Sequence, residues 1–207
     1  MDKQNAKKLI VEYARLLAGS GMVTLYEGNL SLRCDDGFVI TPSATNKLTL
    51  TEEQITELDK DGNFLNPECG MKVSSEYRLH LEAYRLRPDV NACIHFHSTF
   101  ATAYAVAGKA IEPKGDVTAI VLFGEIPLCK YGRLRTEAIY EDLKLYLPDH
   151  DAVLLQNHGA MVVAGDLEAA FAGAQIVEKT AQIEWIARTL GGESVLPERE
   201  IEELKHL

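Results

Sequence analysis

The sequence predicts an α/β fold with one sheet, at least partly antiparallel, that helices cover, and three observations support this fold class. Two hairpin-like segments occupy the first third of the chain. Helical and strand-like segments then alternate from residue 75 onward. The length of 207 residues, 46% of them hydrophobic, allows one sizeable core and does not require a second domain.

The first elements are a helix and two hairpins. Apolar residues at helical spacing predict an amphipathic helix over residues 3–19, which the following "GSG" ends. Alternating runs on either side of Asp36 and Gly37 predict a β-hairpin, because this dipeptide favours a tight turn. The segment around Asp61 and Gly62 repeats the pattern.

Helices and strands alternate in the rest of the chain. A helix is predicted from about Ser75 to Leu86, and after it come the strand "VNACIHFH" and the helix "STFATAYAVAG". Another helix begins near Arg135 and includes "EDLKLYL", and it precedes the buried strand "DAVLLQNHG", which runs into a loop. A long helix covers residues 166–190, and Pro197 opens a short terminal helix.

Composition limits the classes of function. The formal net charge of −10 argues against a general nucleic-acid binder, which usually presents a basic face. No apolar run approaches the roughly 20 residues of a membrane span, and the N-terminus lacks the apolar stretch of a signal peptide. The four cysteines are widely spaced without a CxxC pair, so we expect reduced thiols in a cytoplasmic protein.

Three histidines form a candidate metal site. His95 and His97 lie two residues apart in "NACIHFH", and on a strand their imidazoles would project from the same face. His158 follows the buried strand of "LLQNHGA", at a place where site residues are common. Three imidazoles leave a fourth position open, as catalytic zinc requires, although a lone histidine at such a place is usually structural. We expect His80 and His206 to lie on the solvated surface.

Polar residues at a helix start and in two loops form a second candidate site. Ser74 and Ser75 precede a helix, where they act either as an N-cap or, with free N–H groups, as a phosphate site. Glu76 either complements the helix dipole or, if it faces a metal, serves as a general base or ligand. Turn chemistry or a binding role explains the loop residues Gly28, Asn29, Ser43 and Thr45.

These motifs, in this order, resemble the class II aldolase/adducin family, in its zinc-dependent L-fuculose-1-phosphate aldolase branch. The matching segments are "EGNLSLR", "ITPSATNKLT", "VSSEYRLHLEAYRLRPDVNACIHFHS" and "LLQNHGAMV". The resemblance extends from the first helix to about Gly192. It implies one three-layer αβα domain over residues 1–207, with a mixed, largely antiparallel central sheet. It also implies a homotetramer with active sites at subunit interfaces.

The resemblance assigns roles to individual residues. It implies that His95, His97 and His158 bind one zinc ion per subunit, and that Glu76 is the catalytic acid/base and an additional metal ligand. The implied reaction is reversible cleavage of a ketose 1-phosphate, such as L-fuculose 1-phosphate, through a zinc-stabilised enediolate. The products are dihydroxyacetone phosphate and an aldehyde. The residues implied to hold the substrate phosphate are Gly28, Asn29, Ser43, Ala44, Ser74 and Ser75.

Three departures from the family pattern lie near the implied substrate. Ala44 stands where the fuculose-phosphate enzymes usually carry glycine. The family's catalytic tyrosine, which crosses a subunit contact, falls at Asp116. The C-terminal "PEREIEELKHL" contains no counterpart of a second tyrosine. Asp116 is therefore a candidate for the missing proton donor, and the alternative is an acid on a surface loop.

Relatives within the family leave other reactions open. The ribulose-phosphate 4-epimerase branch uses an aspartate and a histidine where this chain has Thr118 and Ile120, and it tends to carry aspartate in place of Glu76. These differences favour the aldolase. Dehydratases, such as the methylthioribulose-1-phosphate dehydratase type, and decarboxylases share the histidines. A non-catalytic adducin-like interaction module would be expected to lose the metal ligands that this chain keeps.

Overall fold

The core of the fold is one mixed sheet of seven strands, seen in a computed structural model that describes residues 1–133, 136, 138 and 140–206. The strands are β1 (Asn29–Cys34), β2 (Gly37–Ile40), β3 (Thr56–Asp59), β4 (Ala92–Phe96), β5 (Leu128–Cys129), β6 (Ala152–Leu155) and β7 (Gly159–Ala164). Their order across the sheet is β3-β2-β1-β4-β7-β6-β5. Only β5 and β6 pair in parallel, so the predicted mixed, largely antiparallel sheet is confirmed.

Helices cover both faces of this sheet. They are α1 (Lys3–Gly19), α2 (Tyr77–Leu86), α3 (Thr99–Val106), α4 (Val117–Phe123), α5 (Leu143–Tyr146), α6 (Leu167–Thr189) and α7 (Glu198–Leu204). One apolar cluster joins α1, α3 and α6 to the sheet, and a second cluster joins α2 and α5 to its other face. Aspartates cap three of the helices, because Asp2, Asp116 and Asp166 accept hydrogen bonds from the free N–H groups of α1, α4 and α6. None of the described helices is long and apolar enough to cross a membrane.

The side chains of β4 alternate between these two clusters. Ile94 and Phe96 belong to the cluster under α1, α3 and α6, whereas Cys93 belongs to the cluster under α2. The period of two therefore directs His95 toward the face that α2 covers. This alternation determines which helix supplies the remaining groups of the candidate site.

Several predicted boundaries differ from the structure. The strand that contains His95 ends at Phe96, so His97 lies just beyond it. Helix α2 begins at Tyr77 rather than at Ser75. The second predicted hairpin keeps only one strand, because its returning arm makes a single bridge through Phe64. The predicted helix start near Arg135 lies outside the described residues, and α5 begins at Leu143.

The sequence interpretation missed α4, β5 and β7. The omission of β7 matters most, because this strand lies between β4 and β6 in the sheet. A turn of three residues joins β6 to β7, and the N–H of His158 donates to the carbonyl oxygen of Leu155 at 3.0 Å. Asn157 adopts a positive φ of 60° in this turn, a conformation that asparagine tolerates better than most residues. A tight turn therefore replaces the predicted loop and directs His158 back toward β4.

Candidate metal centre

Three imidazole rings come together at one end of the paired strands β4 and β7. The nitrogen atoms that His95, His97 and His158 offer all lie within 4.8 Å of one another. The ring centroids are 4.7 Å apart for the two pairs that include His95, and 5.0 Å apart for His97 and His158. Residues 63 positions apart in the sequence thus form one compact cluster of nitrogen ligands.

Gly159 makes this close approach possible. The residue begins β7, next to the end of β4. A Cβ atom at this position would lie 2.5 Å from Cδ2 of His97 and 2.5 Å from the carbonyl oxygen of Phe96. Both distances are far shorter than a normal contact between heavy atoms, so any larger residue would displace the His97 ring. The absence of a side chain at Gly159 is therefore a steric requirement of the cluster.

His95 lies at the bottom of the cluster and is completely buried. Its Nδ1 is 2.9 Å from the carbonyl oxygen of Ala160 on β7, an acceptor that requires the proton to reside on Nδ1. The other ring nitrogen, Nε2, is then unprotonated and lies 2.8 Å from Nε2 of His97. Burial lowers the pKa of His95 to about 3, so the ring is neutral at physiological pH. Burial and the neighbouring His158 also lower the pKa of His97.

Glu76 adds a carboxylate to the three imidazoles. It occupies the residue just before α2, and its Oε1 lies 2.9 Å from Nε2 of His158 and 3.6 Å from Nε2 of His95. Burial by itself raises the pKa of Glu76, but hydrogen bonds from His158 and Asn29 outweigh this effect. The net result is a pKa well below the ordinary value, so Glu76 is a carboxylate anion at neutral pH.

The donor set fits a divalent metal ion. Ligands of a tetrahedral ion bound at about 2.0–2.1 Å lie roughly 3.3 Å from one another. Three ligand pairs of this cluster are separated by 2.8, 2.9 and 3.6 Å, close to that spacing. The neutral imidazole of His95 and the carboxylate of Glu76 also have the charge states that metal binding requires. The residues that would hold the ion are His95, His97, His158 and, through Oε1, Glu76.

A cavity of about 220 Å³ opens beside this cluster. Glu76, His97 and His158 line it, together with Tyr26 and Glu27, to which the sequence interpretation gave no role. All six residues that the resemblance assigned to a phosphate also line it, namely Gly28, Asn29, Ser43, Ala44, Ser74 and Ser75. The fold therefore brings the predicted phosphate-binding residues and the predicted metal ligands, apart from the buried His95, to one cavity.

The backbone of this cavity suits close contact with a ligand. Gly28 has a positive φ of 65°, and a Cβ there would lie 2.6 Å from Cγ1 of Val23 and 2.8 Å from the carbonyl oxygen of His95. Ala44 also has a positive φ, 52°, and its side chain is exposed. Alanine at this position therefore keeps the backbone conformation that glycine usually adopts, and its methyl group points away from the packed core.

Two residues near the cavity were missed or misjudged in the sequence interpretation. The prediction that His80 lies on the surface is wrong, because the residue is completely buried. The sequence contained a signal for this burial: His80 follows Glu76 by four residues, and residues with this spacing lie on the same face of a helix. Lys47 is also buried, with 2% of its surface exposed, and burial lowers its pKa to about 8. His206, by contrast, is exposed as predicted.

Asp116 lies elsewhere in the described subunit. Its carboxylate caps α4 by accepting hydrogen bonds from the N–H groups of Thr118 and Ala119. It lines a separate cavity of about 150 Å³, together with Glu184 and the segment before α7. The fold of the single chain therefore does not bring Asp116 to the histidine cluster. A catalytic role across a subunit contact stays a prediction.

Comparisons with known proteins agree with this architecture. Residues 8–185 match the family described as Class II Aldolase and Adducin N-terminal domain. The L-fuculose phosphate aldolase of Escherichia coli strain K12 is 32% identical over 183 residues, 88% of this chain and 84% of that enzyme. The 3-oxo-tetronate 4-phosphate decarboxylase of Haemophilus influenzae is 32% identical over 208 residues, 97% of this chain and 96% of that enzyme. A solved structure of an L-fuculose 1-phosphate aldolase has a TM-score of 0.90 at 29% identity, covering 98% of this chain and 95% of its own.

The steric role of Gly159 predicts that Gly159→Ala weakens metal binding at least tenfold and costs about 1–3 kcal/mol of stability, because the new methyl displaces His97. Metal affinity by chelator competition and urea denaturation measure the two effects. Gly165→Ala is the matched control at the other end of β7, where a Cβ meets nothing within 4 Å. Unchanged metal affinity in folded Gly159→Ala would contradict the proposed geometry.

Removal of one imidazole tests the metal site directly. We expect His97→Ala, purified with zinc present, to retain almost no metal, because two imidazoles and a carboxylate bind zinc far more weakly than the full set. Elemental analysis of the desalted protein gives the stoichiometry, and His206→Ala serves as a control on an exposed histidine. Full zinc occupancy of the His97→Ala variant is the result that would refute the site.

Proposed function

The chain belongs to the class II aldolase and adducin N-terminal domain family, and from this premise we propose that it is a metal-dependent aldolase acting on a ketose 1-phosphate. The observation that carries the proposal is the placement of Glu76, whose Oε1 lies 2.9 Å from His158 at the edge of the cavity. The reaction we propose is reversible cleavage of a substrate such as L-fuculose 1-phosphate to dihydroxyacetone phosphate and an aldehyde.

The outer part of the cavity would bind the phosphate group. The hydroxyls of Ser43 and Ser75 and the backbone N–H groups of Ala44 and Ser75 make no hydrogen bond within the described part of the chain. Such neutral donors bind an anion without an excess of positive charge, which suits a protein with a net charge of −10. Binding energy at this remote end would hold the reacting carbons beside Glu76.

Cleavage requires a proton to leave one part of the substrate and another to arrive. When the bond between C3 and C4 breaks, its electron pair stays on C3, and the C4 hydroxyl loses its proton to give the aldehyde. A divalent ion, when bound, acts as a Lewis acid that polarises the carbonyl group and neutralises developing negative charge. In the condensation direction the Glu76 carboxylate would remove a proton from C3. In the cleavage direction the carboxylic acid, formed when Glu76 takes up a proton from solvent, would return that proton to C3.

The group that exchanges a proton with the C4 oxygen would come from outside the subunit's own cavity. No tyrosine stands at the family's position, and Asp116 of the same subunit lines a different cavity. We therefore propose that Asp116 of a neighbouring subunit reaches the C4 oxygen. This assignment depends on an assembly with active sites at subunit contacts.

We extend the proposal to a cytoplasmic homotetramer that uses one zinc ion per subunit. Exposed apolar side chains on α6 support assembly: Ile183, Trp185 and Ile186 are 40%, 53% and 39% exposed. Large apolar side chains exposed on one helix favour a contact with another protein. The nitrogen-rich ligand set suits zinc better than magnesium or calcium, which prefer oxygen ligands.

One other reaction has specific support. The decarboxylase of Haemophilus influenzae matches nearly the entire chain at the same 32% identity as the Escherichia coli aldolase, over a longer alignment. Both reactions leave a negative charge on a carbon next to a carbonyl group, so the same metal and base serve either one. Decarboxylation of a phosphorylated 3-oxo acid is therefore the second candidate. An adducin-like binding module fits less well, because the ligand cluster is complete.

The aldolase proposal predicts release of dihydroxyacetone phosphate from one or more of a panel of ketose 1-phosphates, abolished by a chelator and restored by zinc. The panel comprises the 1-phosphates of fuculose, ribulose, rhamnulose, 5-deoxyribulose and methylthioribulose. A coupled dehydrogenase assay follows the product. Absence of release from every substrate by metal-loaded protein would refute the aldolase, and carbon dioxide release from 3-oxo-tetronate 4-phosphate would then establish the second candidate.

The role of Glu76 predicts that Glu76→Gln keeps most of its metal but loses about 10²–10⁴-fold in turnover, because an amide cannot accept the proton. Exchange of a dihydroxyacetone phosphate hydrogen for deuterium, followed by NMR, isolates this step from carbon–carbon cleavage. Glu82→Gln, on the same helix but outside the cavity, is the control. Exchange at the wild-type rate by Glu76→Gln would rule out the assigned role.

A further inference from the structure

A chain of buried polar side chains lies behind Glu76, and all of its members except Asn29 have no part in the proposed chemistry. It consists of Asn29, His80, Ser31 and Tyr84, all of which are at least 95% buried. Asn29 Nδ2 lies 2.6 Å from Glu76 Oε2, and Asn29 Oδ1 contacts Nε2 of His80. The Oγ of Ser31 is 2.7 Å from Nδ1 of His80 and 2.7 Å from the hydroxyl of Tyr84.

The chemistry of Glu76 determines the direction of the first hydrogen bonds. An ionised carboxylate only accepts, so the amide group of Asn29 must donate through Nδ2. This orientation turns Oδ1 of Asn29 toward His80, and an amide oxygen also only accepts. His80 must therefore carry its proton on Nε2.

The remaining bonds follow from this tautomer. Burial lowers the pKa of His80 to about 4, so the ring is neutral and its Nδ1 has no proton. Ser31 then donates its hydroxyl hydrogen to Nδ1 and accepts one from Tyr84. The one hydroxyl hydrogen of Tyr84 has a second acceptor, the carbonyl oxygen of Asn91 at 3.2 Å, whereas the bonds that link Glu76, Asn29 and His80 each have one allowed direction. These bonds hold the Asn29 amide and the Glu76 carboxylate in fixed orientations.

This arrangement controls which oxygen of Glu76 faces the histidines. Asn29 engages Oε2, and the other oxygen, Oε1, is the one that lies 2.9 Å from His158 and 3.6 Å from His95. Glu76 immediately precedes α2 without making a side-chain capping bond to that helix. Terminal carboxylate torsions have broad energy wells, so the covalent structure alone does not orient the group.

We propose that His80 is a positioning residue that acts through Asn29 to hold Oε1 of Glu76 toward the three histidines. The catalytic part of this inference rests on the proposed function, in which Glu76 carries the proton, whereas the orientation of the carboxylate does not. Both ends of the Asn29 side-chain amide are therefore engaged, Nδ2 by Glu76 and Oδ1 by His80. Only its second N–H hydrogen remains for the phosphate that the sequence interpretation assigned to it.

The test compares His80→Leu with His80→Gln. Leucine has a similar size but no donor, whereas the amide nitrogen of glutamine can take the place of Nε2 and donate to Asn29. Tyr104→Phe is the control, because it also removes a buried hydrogen bond between side chains, to Glu184 at 2.9 Å, but lies outside the cavity. All variants are made in the full-length, zinc-loaded protein.

Crystal structures and metal affinity report on positioning without any turnover. In His80→Leu we expect the Glu76 carboxylate to have turned away from His158 and zinc affinity, measured by chelator competition, to fall about 10–100-fold. We expect His80→Gln to restore both properties and Tyr104→Phe to change neither. A carboxylate unmoved in His80→Leu, or zinc affinity equal to that of the wild type, would overturn the proposal.

Kinetics on the best substrate of the panel gives the catalytic consequence. We expect kcat of His80→Leu to fall about 10–100-fold with KM nearly constant, and we expect His80→Gln to recover most of the loss. Equal losses of kcat in His80→Leu and Tyr104→Phe would indicate a merely structural role and overturn the catalytic part. If the wild type releases no dihydroxyacetone phosphate, the proposed function fails, while the crystal structures and zinc affinities still decide the positioning role.

Discussion

The antiparallel pairing of β4 with β7 is the constraint on which the rest of the site depends. It places His95 opposite Met161 and Phe96 opposite Ala160, and it brings the start of β7 against the end of β4. The backbone of β7 then orients His95 through the carbonyl oxygen of Ala160, while Gly159 leaves room for His97. This pair of strands thus determines the tautomer of His95 and the position of His97. The turn between β6 and β7 places His158 beside them.

The face of β4 that carries His95 also determines which helix packs against the histidine cluster. Because alternate residues of the strand point to opposite sides, His95 faces α2, whose N-terminal end supplies Glu76 and whose first turn supplies His80. Burial keeps the His95 imidazole neutral, and the surrounding hydrogen bonds keep Glu76 ionised. The site therefore holds a neutral imidazole next to one anion in an interior where isolated charges are costly.

The cavity is built from two kinds of structural element. The three histidines and Glu76 lie on or next to the central strands, at a helix start and in a tight turn, where packing restricts them. Residues that would contact the rest of a substrate lie on loops or, like Asp116, point toward other surfaces. Loops tolerate change better than central strands, so we expect the loop residues of the cavity to vary more among related chains than the histidine cluster does.

Sequence patterns alone determined the main elements and the identity of the candidate ligands. Hydrophobic periodicity and turn dipeptides predicted α1, α6 and the first hairpin, because these signals are local. The spacing of His95 and His97 and the ordered family motifs indicated the metal ligands for the same reason.

Only the tertiary structure decided which side chains contact one another at the site. It placed His80 in the interior rather than on the expected surface, added β7 between β4 and β6, and separated Asp116 from the histidines of the same chain. These features arise from contacts between residues far apart in the chain: Ser31 meets His80 across 49 positions, and Ala160 meets His95 across 65. No local pattern records such contacts, because they depend on how whole strands and helices pack.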